Sequence, residues 1–392
     1  MRYIVILLFC FSAVTYGETL EQLIDTALRN NPSLEMLATK IQANSYAVEQ
    51  SDHVENPKLL LSTNSLDTNE KMHQTILTLQ QKIPFYGKRD AKEGVLKAEG
   101  SVLEEQLNFA RVELIKKLKI EAYAIWELEA LYALNAEYIA LTQQNISLYE
   151  SYASISSAEH MGLMKAELSL SDLKIIQSKL KAQLKVAYAH LSYLCASDVT
   201  NLELSLKMGD KSDISKLKAQ LRNNPKLLVE EKKLSKQNAA LKMVDLTNYP
   251  DLTLVVGYSH RDNFDDFFNF GVGLSLPIYG SEDLKVQEQR AHLLAQKNAQ
   301  TDTQYLIDQE LQSYIAQMDS AREIYHIVQE DALPKVEHMF DLSNASVRVG
   351  GDLFKYIDVL FTKLSLEKKS IAAIGDYYKA KAKISALAGM KR

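Results

Sequence analysis

Eight histidines, two cysteines and 50 acidic residues are distributed along this 392-residue chain, and none of their spacings builds a reactive centre. His53, His73, His160, His190, His260, His292, His326 and His338 stand singly, whereas a metal site needs several convergent ligands. There is no Gly-x-Ser-x-Gly elbow, no phosphate-binding loop, no His-Glu-x-x-His pair and no Cys-x-x-Cys. The histidine nearest to Cys195, His190, falls on a different helical face, so no thiol–imidazole pair forms. The densest acidic cluster, Asp262, Asp265 and Asp266, is flanked by Phe264 and Phe267 and reads as a solvated loop rather than a cation site. The chain is therefore read as a non-enzyme, with no catalytic residue, no metal site and no cofactor. Its function must lie in the elements that carry these residues.

Those elements are built twice. Six of the seven prolines form three pairs, Pro32 with Pro225, Pro57 with Pro250 and Pro84 with Pro277, each 193 positions apart. The neighbours match as well: Asn30-Asn31-Pro32 with Asn223-Asn224-Pro225, Asn56-Pro57-Lys58-Leu59 with Tyr249-Pro250-Asp251-Leu252, and Ile83-Pro84-Phe85-Tyr86-Gly87 with Leu276-Pro277-Ile278-Tyr279-Gly280. A spacing kept without gaps means one succession of elements repeated. The repeats are taken as residues 18–210 and 211–392.

Residues 1–17 are set apart as a secretory signal. Arg2, the apolar run from Ile4 to Phe11, and the small residues Thr15 and Gly17 supply its charged, hydrophobic and cleavage regions, with Glu18 as the mature start. Leu7, Leu8 and Phe9 before Cys10 are too bulky for a lipid-attachment site. Cleavage leaves Cys195 alone on an apolar helical stripe, where it behaves as a small hydrophobe and no internal disulfide is possible. The net charge of -5 gives no footprint for nucleic acid. Beyond the signal no apolar run is long enough for a membrane-spanning helix, so any crossing must use strands.

Each repeat reads helix, two strands, then a very long helical hairpin. Residues 20–55, and their counterparts 214–247, carry a broken helical period punctuated by proline. The period then changes to two. Leu252, Leu254, Val256 and Tyr258 alternate with small or polar residues, as do Phe268, Phe270, Val272, Leu274 and Leu276 with Asn269, Gly271, Gly273 and Ser275. The first-repeat strands are fainter, at Leu59 and Leu61 and at Thr75, Leu77, Leu79, Gln81 and Ile83. Strands of this length with one apolar face fit a transmembrane barrel, and they also fit a half-buried sheet packed on helices.

The helices favour the barrel. No glycine or proline occurs from Ser101 to Met161, so a helix starting at Lys88 runs to about Ser154, on the order of 100 Å. After Gly162 a returning helix shows Leu173, Ile176, Leu180, Leu184, Ala187, Leu191 and Leu194 at coiled-coil spacing. In the second repeat, residues 281–347 go out with Pro334 as a kink, and Leu353, Ile357, Leu360, Leu364, Ile371, Ile374 and Tyr378 come back after Gly350-Gly351. Four strands cannot close a barrel, but three copies supply twelve.

With these features in order, the chain resembles the TolC family of outer-membrane efflux proteins. The resemblance rests on the paired Asn-Pro-x-Leu elements, the twin Pro-x-Tyr-Gly corners, glycine at both hairpin tips, and Ile357-Asp358-Val359-Leu360. It implies a mainly α protein with a small β part, a homotrimer with a 12-stranded transmembrane barrel and a periplasmic α-helical tube, in the outer membrane of a Gram-negative bacterium. Its implied partners are outer-membrane lipid, a periplasmic adaptor, and an inner-membrane resistance-nodulation-division pump or an ABC exporter.

The corner Gln80-Gln81-Lys82-Ile83-Pro84-Phe85-Tyr86-Gly87-Lys88-Arg89 and the tip Gly162-Leu163-Met164-Lys165-Ala166-Glu167 are similar to members that serve cobalt/zinc/cadmium or copper pumps. The implied site residues are the corners Pro84, Gly87, Pro277 and Gly280, the adaptor-docking tips Gly162, Leu163, Gly350, Gly351 and Asp352, and an entrance formed by Asp358 and Phe361. Glycine is expected at the tips because tight helical turns call for positive φ. Three copies of Asp358 would attract cations and Phe361 would close the passage. The function implied is passive conduction of metal ions, drugs or other small molecules. The alternatives are the outer duct of a type I protein-secretion system and an exported coiled-coil scaffold, which has no use for lipid-facing phenylalanines.

Overall fold

The computed structural model describes residues 18–67, 72–152, 157–210, 221–347 and 353–390. The signal segment and the tip residues Gly350, Gly351 and Asp352 lie outside them. The elements, in chain order, are β1 (Glu18–Thr19), α1 (Leu20–Asn30), α2 (Pro32–Ser51), β2 (Lys58–Thr63), β3 (Gln74–Ile83), α3 (Lys88–Tyr152), α4 (Ser157–Cys195), β4 (Leu202–Glu203), α5 (Pro225–Asp245), β5 (Leu252–Arg261), β6 (Phe267–Leu274), α6 (Ser281–His326), α7 (Leu333–Val347) and α8 (Leu353–Leu387).

The compact units cut across the two repeats. One comprises Met1–Pro32, Arg111–Ala219 and Glu310–Arg392, and the other Ser33–Ala110 and Gln220–Gln309. The second of these holds the four long strands with α2, α5 and the starts of α3 and α6, and the first holds the rest of the helical hairpins.

The second unit is organised by an antiparallel sheet in the order β2-β3-β5-β6. The register places Leu59 opposite Leu79, Leu79 opposite Val256, and Val256 opposite Phe270. Because directly paired residues share a face, Leu61, Leu77, Tyr258 and Phe268 also fall together, as do Leu254, Val272 and Leu274. That face is apolar across all four strands and exposed, Phe270 at 80% and Leu61 at 73%. The opposite face carries Lys58, Ser62, Thr78, Gln80, Lys82, Thr253, Asn269, Gly271 and Gly273. Both edges, β2 and β6, are unpaired in the single chain. Asn224 caps α5 through the N–H groups of Lys226 and Leu227 at 2.9 and 3.1 Å, with Pro225 at the first helical position.

The first unit is helical. Thr19 and Gln22 form a capping box at the start of α1, whose Leu20, Leu23, Ile24 and Ala27 are buried where it packs on α4. Cys195 is buried there too, and burial raises its thiol to about 11, so it stays protonated as a small core residue. Along the hairpins, Tyr138, Ile146, Ala166, Leu173, Leu353, Tyr356, Ile357, Leu360 and Leu364 make one core cluster. Fully burying a leucine in it stabilises by about 1.5–3 kcal/mol.

Polar groups cross this apolar seam at fixed points. The Asn135 amide donates to the Leu173 carbonyl at 2.9 Å and to Gln177 at 2.7 Å, and the Asn145 amide donates to the Tyr356 hydroxyl at 2.9 Å. The Tyr138 hydroxyl donates to Glu367 at 2.7 Å, and burial followed by this bond pushes its pKa up. Pro334, where a kink is expected, lies just after a change in helical geometry. Six residues before it, Ile327–Ala332, form a π-turn in which the Leu333 N–H bonds the Val328 carbonyl, and Pro334 then occupies the first turn of α7, where its missing N–H costs little.

Candidate functional sites

The strand-to-helix corners are the most regular feature the duplication leaves. Pro84 and Pro277 follow the last extended residues because proline cannot donate to a ladder. Gly87 and Gly280 have φ of +84° and +71°, which only glycine adopts without strain. Each then begins a helix, its carbonyl accepting from Ala91 at 2.9 Å or Leu284 at 3.3 Å. These four positions thus hold the turn in both repeats.

At the first corner the structure adds a residue that sequence reasoning missed. Asp251 accepts from the Lys88 ammonium at 2.7 Å and the Phe85 N–H at 3.0 Å, and lies 3.2 Å from Lys82. Burial alone would raise this carboxyl, but the bonds from Lys88, Phe85 and Lys82 outweigh it and hold it below the usual carboxylate range. Lys88 also donates to the Tyr249 carbonyl at 2.7 Å, and Tyr249 stacks on Phe85 with ring centroids 4.7 Å apart. The signal was present in the repeat: Asp251 stands where the first repeat has Lys58, a charge reversal between otherwise matched neighbours.

At the opposite end of the sheet, two histidines that are isolated in sequence find carboxylates. His73 Nδ1 lies 2.9 Å from Asp262, and His260 Nδ1 lies 3.0 Å from Asp266, which also accepts from the Tyr258 hydroxyl at 2.5 Å. Among the described residues no group of histidine, cysteine and acidic side chains has the geometry to hold a metal ion.

The tip residues differ from expectation. Gly162 is not a turn residue: it lies inside α4, with no positive φ. It faces the start of α8, where a Cβ would lie in van der Waals contact with the Leu353 Cβ at 3.4 Å and the Phe354 nitrogen at 3.5 Å. α3 ends at Tyr152 and α4 begins at Ser157, five residues before Gly162. Leu163 is half-buried against the core cluster.

Asp358 projects from α8 with its side chain 76% exposed, while Leu353, Ile357, Leu360 and Leu364 on the same helix are buried. Lys165 of α4 sits 3.9 Å from Asp358 and 3.4 Å from the Phe354 ring centroid. Phe361, one helical turn further on, is half-buried beside an apolar groove of about 550 Å³ that it lines with Leu131, Ile176, Leu180, Leu364 and Lys368. Burial lowers the pKa of the Lys368 ammonium beside it. One helix thus presents an exposed carboxylate and a half-sunken aromatic three residues apart.

No protein-family model and no curated protein sequence matches the chain. Solved structures do. CusC, studied for its folding and transmembrane channel formation, aligns with a TM-score of 0.80 at 15% identity over 94% of this chain and 91% of its own. The Campylobacter jejuni CmeC outer-membrane channel aligns with a TM-score of 0.76 at 15% identity, over 95% and 86%. The outer-membrane protein VceC of Vibrio cholerae gives 0.76 at 14%, over 94% and 96%. The chain has the fold of the TolC-type outer-membrane channels.

Proposed function

We propose that this protein is the outer-membrane duct of a tripartite efflux system. It works as a trimer whose sheets close into a 12-stranded barrel in the outer membrane and whose helical hairpins extend as a tube into the periplasm. A periplasmic adaptor and an inner-membrane pump of the resistance-nodulation-division type deliver metal ions, drugs or other small molecules, and the duct passes them outward without chemistry. Asp358 lies at the entrance and biases it toward cations, because three like carboxylates around an axis create a negative field. Phe361 narrows the same passage, and the surfaces around Gly162 and Leu163, with Gly350, Gly351 and Asp352, meet the adaptor.

The single observation that carries the reading is the exposed apolar face shared by β2, β3, β5 and β6, with its two unpaired edges. In water such a face and such edges invite aggregation. In a bilayer they are what a barrel segment requires, since every backbone group must find a partner and the lipid side must be apolar. An exported scaffold would gain nothing from it.

The test is fractionation and conductance together. The protein extracted from outer membranes should run as a detergent-stable trimer and form discrete channels in planar bilayers. Cells lacking it should accumulate a fluorescent dye that wild-type cells expel. Recovery as a soluble periplasmic monomer would end this reading.

A further inference from the structure

We propose that the β3·β5 junction inside one copy is the template for the seam between copies, and that Lys58 of one copy pairs across that seam with Glu282 of the next. The proposal rests on the trimeric reading above and specifies how the copies join.

The duplication supplies the register. Shifting β3 forward by 193 gives β6, and shifting β5 back by 193 gives β2. The internal pairs Leu79 with Val256, Gln81 with Leu254 and Ile83 with Leu252 then become Val272 with Thr63, Leu274 with Leu61 and Leu276 with Leu59. The alternation of faces agrees independently: the apolar face uses odd positions in β2 and even positions in β6, and each of these pairs joins an odd to an even position. A shift by one residue would set apolar side chains against the polar face. The strands alternate in direction from β2 to β6, so adding the next β2 beside β6 continues the antiparallel order.

The strand ends point the same way. β3 stays in its ladder through Ile83, whereas β6 leaves its ladder at Leu274, two positions short of the equivalent Leu276. The partner that holds the end of β3 is β5, and the equivalent partner of β6 is absent from the single chain. Leu276 and Leu59, 64% and 67% exposed, would cover each other in the seam.

The charges are reversed in the way a second lock requires. In the template, Asp251 of the strand side binds Lys82 and Lys88 of the corner side. The repeat puts Lys58 in the place of Asp251, Ser275 in that of Lys82, Ser281 in that of Lys88, and Glu282 in that of Arg89. A base therefore stands on the strand side and an acid at the helix start. Lys58 is exposed, and among the described residues its side chain makes no hydrogen bond or ion pair. The Glu282 side chain accepts from the Ser281 hydroxyl at 2.8 Å at the first turn of α6 and lies 3.9 Å from Lys285, a long contact that leaves its carboxylate open to a second cation. The flexible lysine stem spans the one-residue offset.

Cysteine cross-linking in the full-length protein in outer membranes reads the register directly. Thr63→Cys combined with Val272→Cys should give a disulfide-closed trimer on non-reducing gels. Thr63→Cys with Phe270→Cys or with Leu274→Cys, each shifted by two, should give several-fold less. Best closure by a shifted pair, or closure by none while the trimer still forms, would overturn the seam but leave the duct reading standing. A wild-type protein that is no trimer would overturn both. For the lock, Lys58→Glu and Glu282→Lys should each remove most of the detergent-resistant trimer, and the two together should restore it. No restoration in the double variant would refute the pair.

Discussion

Leu61 in the sheet is 73% exposed and Leu360 in the helical body is fully buried, although both belong to equally regular apolar stripes. In the helical body the stripe of Leu353, Ile357, Leu360 and Leu364 packs into one core cluster, and the polar residues beside it, Asn135 and Asn145, are hydrogen-bonded across the seam. In the sheet the stripe ends in nothing, yet it is continuous over four strands and free of charge. The difference teaches that exposure alone does not measure instability. What matters is which solvent the surface was selected to meet.

This contrast can be broken by changing one residue on each side. Leu360→Ala removes a fully buried side chain and should lower stability by about 2–5 kcal/mol. Urea unfolding followed by far-UV circular dichroism should show an earlier midpoint, while the share of protein reaching the membrane stays high; an unchanged midpoint would mean that the seam is not the core. Phe270→Arg should do the reverse. An arginine on the lipid face costs about 2–4 kcal/mol near the bilayer midplane, once per copy, so outer-membrane trimer should disappear on native gels. If the variant inserts and assembles normally, the face does not meet lipid.

Smaller changes sharpen the comparison. Gly162→Leu forces a side chain between α4 and the start of α8 and should cost roughly 1–3 kcal/mol, with dye efflux falling more than trimer abundance. Equal loss of both would remove the tip from the docking surface. Asp358→Ala and Phe361→Ala should leave unfolding almost unchanged. In planar bilayers the first should weaken cation selectivity and the second should raise basal conductance, and a wild-type response from both would place the entrance elsewhere.

Much of the architecture was legible because the repeat reports it twice. The 193-residue spacing located both corners, and the period-two runs located β5 and β6 to within two residues. The coiled-coil spacing of Leu353, Ile357, Leu360 and Leu364 marked residues that are buried. The failures have physical reasons. Gly162 was assigned to a turn because glycine permits positive φ, but glycine also occurs within helices, and sequence does not separate these uses. Pro334 announced an irregularity without revealing that it would take the form of a π-turn just upstream. Asp251 looked like an ordinary residue after a proline, because its lysine partners come from the other repeat and only the fold brings them together. The expectation of an entrance at Asp358 and Phe361 rests on the resemblance alone, and the tip at Gly350, Gly351 and Asp352 lies outside the described residues.

The asparagines of the helical seam limit how the hairpins can be displaced. Sliding α4 or α8 lengthwise by one turn, about 5.4 Å, would tear Asn135 from Leu173 and Gln177, or Asn145 from Tyr356. Each orphaned buried group would cost about 1–3 kcal/mol, whereas a purely leucine seam would fall into an equivalent set of holes one turn further on. These amides act as detents on a ratchet that leucine alone would leave free to slip. A load applied along the helices, as when a partner pulls at their ends, is therefore passed through the hairpin as by a rod.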